Sequence, residues 1–178
     1  QALTTLRKLG LQPRRTIRVV LFTNEENGVH GGAAYAKDHA GELARTVMAL
    51  ESDSGGFAPV GFSVGAAPEL EAGITAKVGD IAKLLGAIHA TRVRTGHGGT
   101  DIGPMEPGGV PTIGLDVDNR TYFDIHHTDA DTFDKVDPAA LADDVAAAAV
   151  LAYVVADLPD RLDARLDAGS VPAAGSVK

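Results

Sequence analysis

Three short clusters in this sequence carry residue types that can do chemistry: Glu25-Glu26, Asp53 and His126-His127. Carboxylates and imidazoles without a thiolate suit a catalytic zinc site that keeps one position open for water. Where a strand turns into a loop, neighbouring carboxylates can converge and divide the work. One can hold a metal while the other faces the activated water as general base. Taken singly, each cluster has an ordinary reading: an exposed acidic turn, a loop acid, a solvated histidine pair. Placement joins them, because each follows a run that the sequence pattern predicts as strand or extended chain.

The elements that must position these residues follow from the pattern. Residues 17–22 form an apolar, β-branched run long enough for one buried strand, and it ends in Asn24-Glu25-Glu26-Asn27. A turn bearing Gly28, Gly31 and Gly32 leads into a helix expected over 31–39, and Gly41-Glu42 reads as a turn. A second buried strand over 47–50 also ends in acids, Glu51-Ser52-Asp53. In open α/β sheets, sites form outside the carboxyl ends of the strands, so two strands ending in acids point to one shared site.

Residues 60–64 read as a short strand. Leu70, Ile74, Val78, Ile81, Leu85 and Ile88 step by three and four, the stripe of a helix over 69–88. A glycine-rich loop over 95–101 carries Asp101, a helical turn is expected at 102–106, and a third buried strand covers 110–115. Residues 121–125 read as extended and deliver the two histidines. Asp137-Pro138 is a helix start, with Asp as N-cap and Pro at the first helical position, opening a helix over 138–158. At the amino end, leucines at 3, 6 and 9 mark a short helix closed by Gly10.

The 178 residues suit one domain, and 44% hydrophobic content supplies a core in which 4% aromatics leave Val, Leu, Ile and Ala to do the filling. A net charge of −8 without a basic stripe argues against nucleic-acid binding. With no cysteine, any metal must be held by His, Asp and Glu. The longest apolar run, residues 145–156, is shorter than the roughly 20 residues a bilayer requires and reads as a buried helix.

The segments F-T-N-E-E-N-G, A-L-E-S-D-S-G-G-F, G-G-T-D-I, G-G-V-P-T-I-G-L, Y-F-D-I-H-H-T-D-A-D-T and D-K-V-D-P, in this order, resemble the co-catalytic di-zinc exopeptidases, in the branch of carboxypeptidase Q and its bacterial aminopeptidase-like relatives. The resemblance covers residues 3–160. It implies a three-layer α/β/α sandwich around a mostly parallel mixed sheet, with two zincs about 3.5–4 Å apart. By motif it makes Glu25 the general base, Glu26 a zinc ligand, Asp53 a ligand of the other zinc, and His127 a ligand sharing a zinc with Glu26. Asp101 would border the substrate pocket. Asp131, four residues after His127, would accept its other ring N–H.

The family also uses an upstream His-x-Asp and a bridging Asp. Neither occurs before Arg15, and His30, His39, His89 and His97 lack that context. The expectation is therefore the C-terminal portion of a catalytic domain over residues 1–160, with a tail over 161–178. The implied activity is hydrolysis of terminal peptide bonds, on a peptide or dipeptide substrate, with the fragment alone inactive. A glutaminyl-cyclase-like acyltransferase and a non-catalytic binding domain stand as alternatives. The resemblance further implies a secreted or periplasmic location and no membrane partner, and it leaves a homodimer open.

Overall fold

A computed structural model describes residues 1–164 of the chain. At its centre lie four strands: β1 (Ala49–Glu51), β2 (Pro59–Gly65), β3 (Arg92–Thr95) and β4 (Thr112–Val117), in the order β1-β4-β2-β3. The pairs β1–β4 and β2–β3 are parallel, and β2–β4 is antiparallel. The helices are α1 (Ala2–Lys8), α2 (His30–Asp38), α3 (Ala40–Leu43), α4 (Pro68–Ala82) and α5 (Pro138–Asp157). This is the α/β fold expected from the alternation of apolar runs and helical stripes.

Side chains alternate across a strand, and here the alternation sorts the molecule into faces. Phe62 and Val64 of β2 and Ile113 and Leu115 of β4 point into one apolar cluster. Helix α4 meets them with Ile74, Val78 and Ile81, and α5 with Ala147, Leu151 and Val155. The intervening residues on β2 and β4, Ser63, Thr112 and Gly114, are small, so chain can lie close against that face. A side chain on Gly114 would meet the Gly98 carbonyl at 2.6 Å. The glycine-rich loop around Gly98 therefore rests on the sheet itself. A second, smaller cluster (Ala36, Leu43, Ile102, Met105 and Val110) joins α2 and α3 to this loop and to the following 3₁₀ turn, Gly103–Gly108.

Several expectations held in place. Helix α5 begins where the cap was expected, with Asp137 Oδ1 accepting from Ala139 N at 2.9 Å. It is longer than its most apolar run: 20 residues with a mean hydropathy of 1.8, long and apolar enough by length and composition to cross a membrane. In this fold its apolar face packs on the sheet, which makes it a core helix. The 69–88 stripe divides into α4 and a 3₁₀ segment, Lys83–Ile88, with a bend at Leu85. Leu162 is fully buried in the main cluster, and Lys77 Nζ donates to the Leu162 carbonyl at 2.8 Å, so the chain stays on the body past α5. Most of the tail, residues 165–178, lies outside the described residues.

Three expectations need correction. Residues 17–22 are not a buried strand. The backbone runs without regular pairing, and Val19 and Leu21 are 63% and 88% exposed. β-Propensity can favour extended backbone, but a strand needs a partner edge, and the described residues offer this segment none. It is held near its start instead. Arg15 donates to the Leu158 carbonyl at 2.6 Å, and Arg18 to the Tyr35 hydroxyl at 2.8 Å and to Glu42 at 2.9 Å. Gly41-Glu42 lies within the short helix α3 instead of forming a turn. Residues 121–125 are not extended, because Tyr122–Asp124 winds into a 3₁₀ turn. Strand β3 was not anticipated at all; its sequence Arg-Val-Arg-Thr offers only one apolar side chain.

Candidate active site

The acidic pair sits in a tight turn between the extended segment and α2. Gly28 N and Val29 N both donate to the Glu25 carbonyl, at 2.9 and 2.8 Å, and Gly31 N donates to the Thr23 carbonyl at 3.0 Å. The turn forces Asn24 (φ 61°) and Val29 (φ 57°) into the left-handed region. Asn tolerates this conformation, whereas a β-branched residue rarely adopts it. Gly32 then lets α2 press its backbone against the Asp101 carbonyl, where a side chain would clash. The turn carrying Glu25-Glu26 is thereby fixed to the loop carrying Asp101.

The histidine pair arrives from the other side. His126 N donates to the Tyr122 carbonyl at 2.9 Å, so the chain is still coiled there, and His127 turns it with a left-handed φ of 57°. His127 Nε2 comes to 2.9 Å from Glu26 Oε1, across 101 residues of sequence. Glu25, Glu26, Asp53, His126, His127 and Asp131 all line one cavity of about 430 Å³. Phe57, Tyr122, Ile125 and Val136 give it an apolar wall, and Lys135 is a cation on its rim.

The titration behaviour records the same convergence. Partial burial and the charges of Glu26, Asp53 and Asp101 push the Glu25 carboxyl above its ordinary value, against a lowering contribution from His127. Burial and Asp53 raise Asp101, whose Oδ1 is buried without a hydrogen-bond partner among the described residues. Burial, then Asp53, Glu26, Asp131 and Glu25, raise the Tyr122 phenol. A carboxylate whose proton affinity is raised is better suited to take a proton and release it.

The structure thus brings together Glu25, Glu26, Asp53, His127 and Asp131, with Asp101 close enough to raise Glu25. The bond made by His127 is to Glu26; Asp131 shares the cavity wall and is not its hydrogen-bond partner. His39 lies elsewhere, 3.3 Å from Glu42, and His97 accepts from Gly99 N at 3.1 Å within the glycine-rich loop.

Two contributors escaped the sequence reading. Glu51 accepts from Thr100 N and Ile102 N, both at 3.0 Å, and clamps the Asp101 loop to the end of β1. Burial raises its carboxyl, and those two N–H bonds oppose the rise. Its spacing of two from Asp53 was the available signal, since alternate residues on extended chain share a side. Tyr122 was the other. Its relation to His126, four residues on, becomes visible only once the segment is known to coil.

The donors at the cavity bear on the zinc that the resemblance implies. Glu26 and His127 face each other as a carboxylate and an imidazole nitrogen, a donor pair that fits zinc. Asp53 borders the same cavity. No group of three metal-binding side chains converges among the described residues. The residues present therefore fit part of a site.

Residues 1–154 match peptidase family M28. Over 162 residues the chain is 35% identical to carboxypeptidase Q of Mus musculus and 36% identical to that of Xenopus laevis, covering 91% of this chain and 34% of each relative. A crystal structure of a peptidase M28 precursor from Shewanella amazonensis superposes with a TM-score of 0.78 at 36% identity, covering 90% of this chain and 36% of that one. The chain spans about one third of the length of these relatives. With residues 1–154 matched to the family, and with relatives above 30% identical over about nine tenths of its length, the chain belongs to peptidase family M28.

Proposed function

We propose that this chain is the C-terminal portion of the catalytic domain of a zinc-dependent exopeptidase that hydrolyses terminal peptide bonds of peptides or dipeptides. The observation that carries the reading is the contact of Glu26 with His127, 2.9 Å apart and beside Glu25. Two residues 101 positions apart meet at a turn where the backbone adopts costly conformations, as functional sites commonly do.

In this reading Glu26 and His127 hold one zinc, Asp53 helps to hold a second, and the other ligands come from elsewhere in a longer protein. Bound there, zinc supplies Lewis-acid polarisation of the scissile carbonyl and of a water. Glu25 accepts that water's proton at its carboxylate and passes it to the leaving amine. Its raised proton affinity keeps the two transfers closer in energy. Tyr122, Phe57 and Val136 pack against the substrate side chain and exclude water. Asp101 is not in the cavity lining and acts on the site through its charge on Glu25. A secreted or periplasmic location is part of the proposal, supported by the precursor status of the structural relative.

The test uses the longer protein that contains this chain. Dipeptides and aminoacyl-p-nitroanilides are offered before and after zinc is stripped with a chelator. Hydrolysis that disappears on stripping and returns with zinc is expected. Unchanged hydrolysis after complete removal of metal rules the proposal out. A content of one zinc, in place of two, would favour the acyltransferase reading.

A further inference from the structure

His126 lines the cavity with its ring packed among three other rings. One face lies on His127, with centroids 3.8 Å apart and planes at 27°, and Tyr122 stacks on it at 4.4 Å and 24°. Phe123 meets it edge-on at 5.8 Å and 83°. Phe57 extends the column by meeting Tyr122 at 6.2 Å. The backbone accounts for this arrangement. His126 N bonds to the Tyr122 carbonyl, which places residue 126 one turn beyond residue 122 on the same side. On extended chain His126 and His127 would point to opposite faces. The left-handed φ of His127 folds its ring back onto His126 instead.

We propose that His126 is a positioning residue. It holds the His127 ring by stacking, so that Nε2 is kept aimed at the Glu26 carboxylate, and it acts through its flat ring surface and not through a nitrogen. The inference rests on the reading of Glu26 and His127 as a zinc-holding pair. An imidazole free to rotate about its side-chain torsions loses entropy when it binds a metal. A ring already stacked on one face has lost part of that freedom on folding, so binding is stronger. A stacked aromatic contact contributes enough to change an affinity by roughly threefold to tenfold.

The experiment uses the 178-residue chain with ¹⁵N-labelled histidine, titrated with zinc chloride alone and followed by NMR at His127. Four variants are compared: His126→Ala, His126→Phe, His126→Leu and Glu26→Ala. The thermal midpoint of each is recorded beside its zinc affinity. His126→Ala and His126→Leu are expected to weaken zinc binding at His127 by about threefold to tenfold. His126→Phe is expected to restore it to within about twofold, with Leu and Phe at similar thermal midpoints. Rescue by Phe but not by Leu separates a ring that aims from side-chain bulk that merely fills. Equal affinity in all three His126 variants and the unsubstituted chain overturns the brace while leaving the zinc pair intact. Loss with Phe as severe as with Ala also overturns it, by assigning the role to a ring nitrogen. If zinc leaves the His127 resonances unmoved in the unsubstituted chain, or Glu26→Ala has no effect, the zinc-pair reading fails and the brace fails with it.

Discussion

At the scale of residues, Glu25 and Glu26 are neighbours with different surroundings. Glu26 is committed to His127 at 2.9 Å, whereas Glu25 has its proton affinity raised by burial and by three acids around it. A carboxylate engaged with an imidazole is placed to hold a cation; one surrounded by negative charge is placed to accept a proton. In the longer protein, Glu25→Gln should therefore lower kcat by about 100-fold or more while zinc content is unchanged, since the amide keeps the shape and removes the base. Glu26→Ala should lower zinc content and rate together. Metal analysis beside steady-state kinetics checks both, and a Glu25→Gln variant with near-normal kcat would return the base assignment to another group. The motif made both residues candidates for these proposed roles. For Glu51 the sequence offered only its spacing of two from Asp53, which does not tell that two N–H groups of a loop some fifty residues later will close on it.

At the scale of elements, legibility followed the source of each element's order. Helices α4 and α5 and strands β2 and β4 were readable because their apolar periodicity matches the face they bury. Residues 17–22 were misread because pattern reports propensity, and a strand's existence depends on an edge supplied from elsewhere. The coil at Tyr122–Asp124 was misread because aromatic residues suit both extended and wound backbone. Helix α5 contains a further feature that pattern alone conceals. Asp144 is only 4% exposed and neither carboxylate oxygen has a hydrogen-bond partner among the described residues. Burial, and then Asp143 beside it, push its carboxyl up to about 7. A raised carboxyl pKa in the folded state favours the neutral form there, so the sign is fixed. This contribution to stability is complete below about pH 4, is lost as pH rises to about 7, and is flat above that. The rise is worth on the order of 4 kcal/mol. Asp144→Asn should flatten the dependence and stabilise the 178-residue chain at pH 8 relative to the unsubstituted one. Denaturant melts of both at pH 4.5 and pH 8 measure it; an equal gap between them at the two values would show that Asp144 is not the group responsible.

At the scale of the whole molecule, the candidate site and the unpaired segment 17–22 lie in the same region. The segment that ends in Glu25-Glu26 has no sheet partner among the described residues, and the cavity beyond it has two facing donors and no third. One unpaired segment accounts for both observations if, in a protein as long as the relatives, about three times this chain, the residues that pair with it also carry the remaining ligands. The 178-residue chain by itself should then behave in a linked way. Amides of residues 17–22 should exchange with solvent at nearly unprotected rates, while those of β2 and β4 are slow, because exchange protection needs a bonded partner. Zinc should bind weakly and at no more than one ion per chain, since an imidazole and a carboxylate cannot complete a tetrahedral shell without water. Peptide hydrolysis should be undetectable, because one loosely held cation cannot clamp both the attacking and the leaving atoms. Supplying the rest of the longer protein should protect residues 17–22 and raise zinc affinity together. Hydrogen exchange and zinc titration on the two forms measure this directly. Protection gained without tighter zinc, or tight zinc and turnover in the 178-residue chain alone, would show that sheet and site are completed by different parts of the molecule.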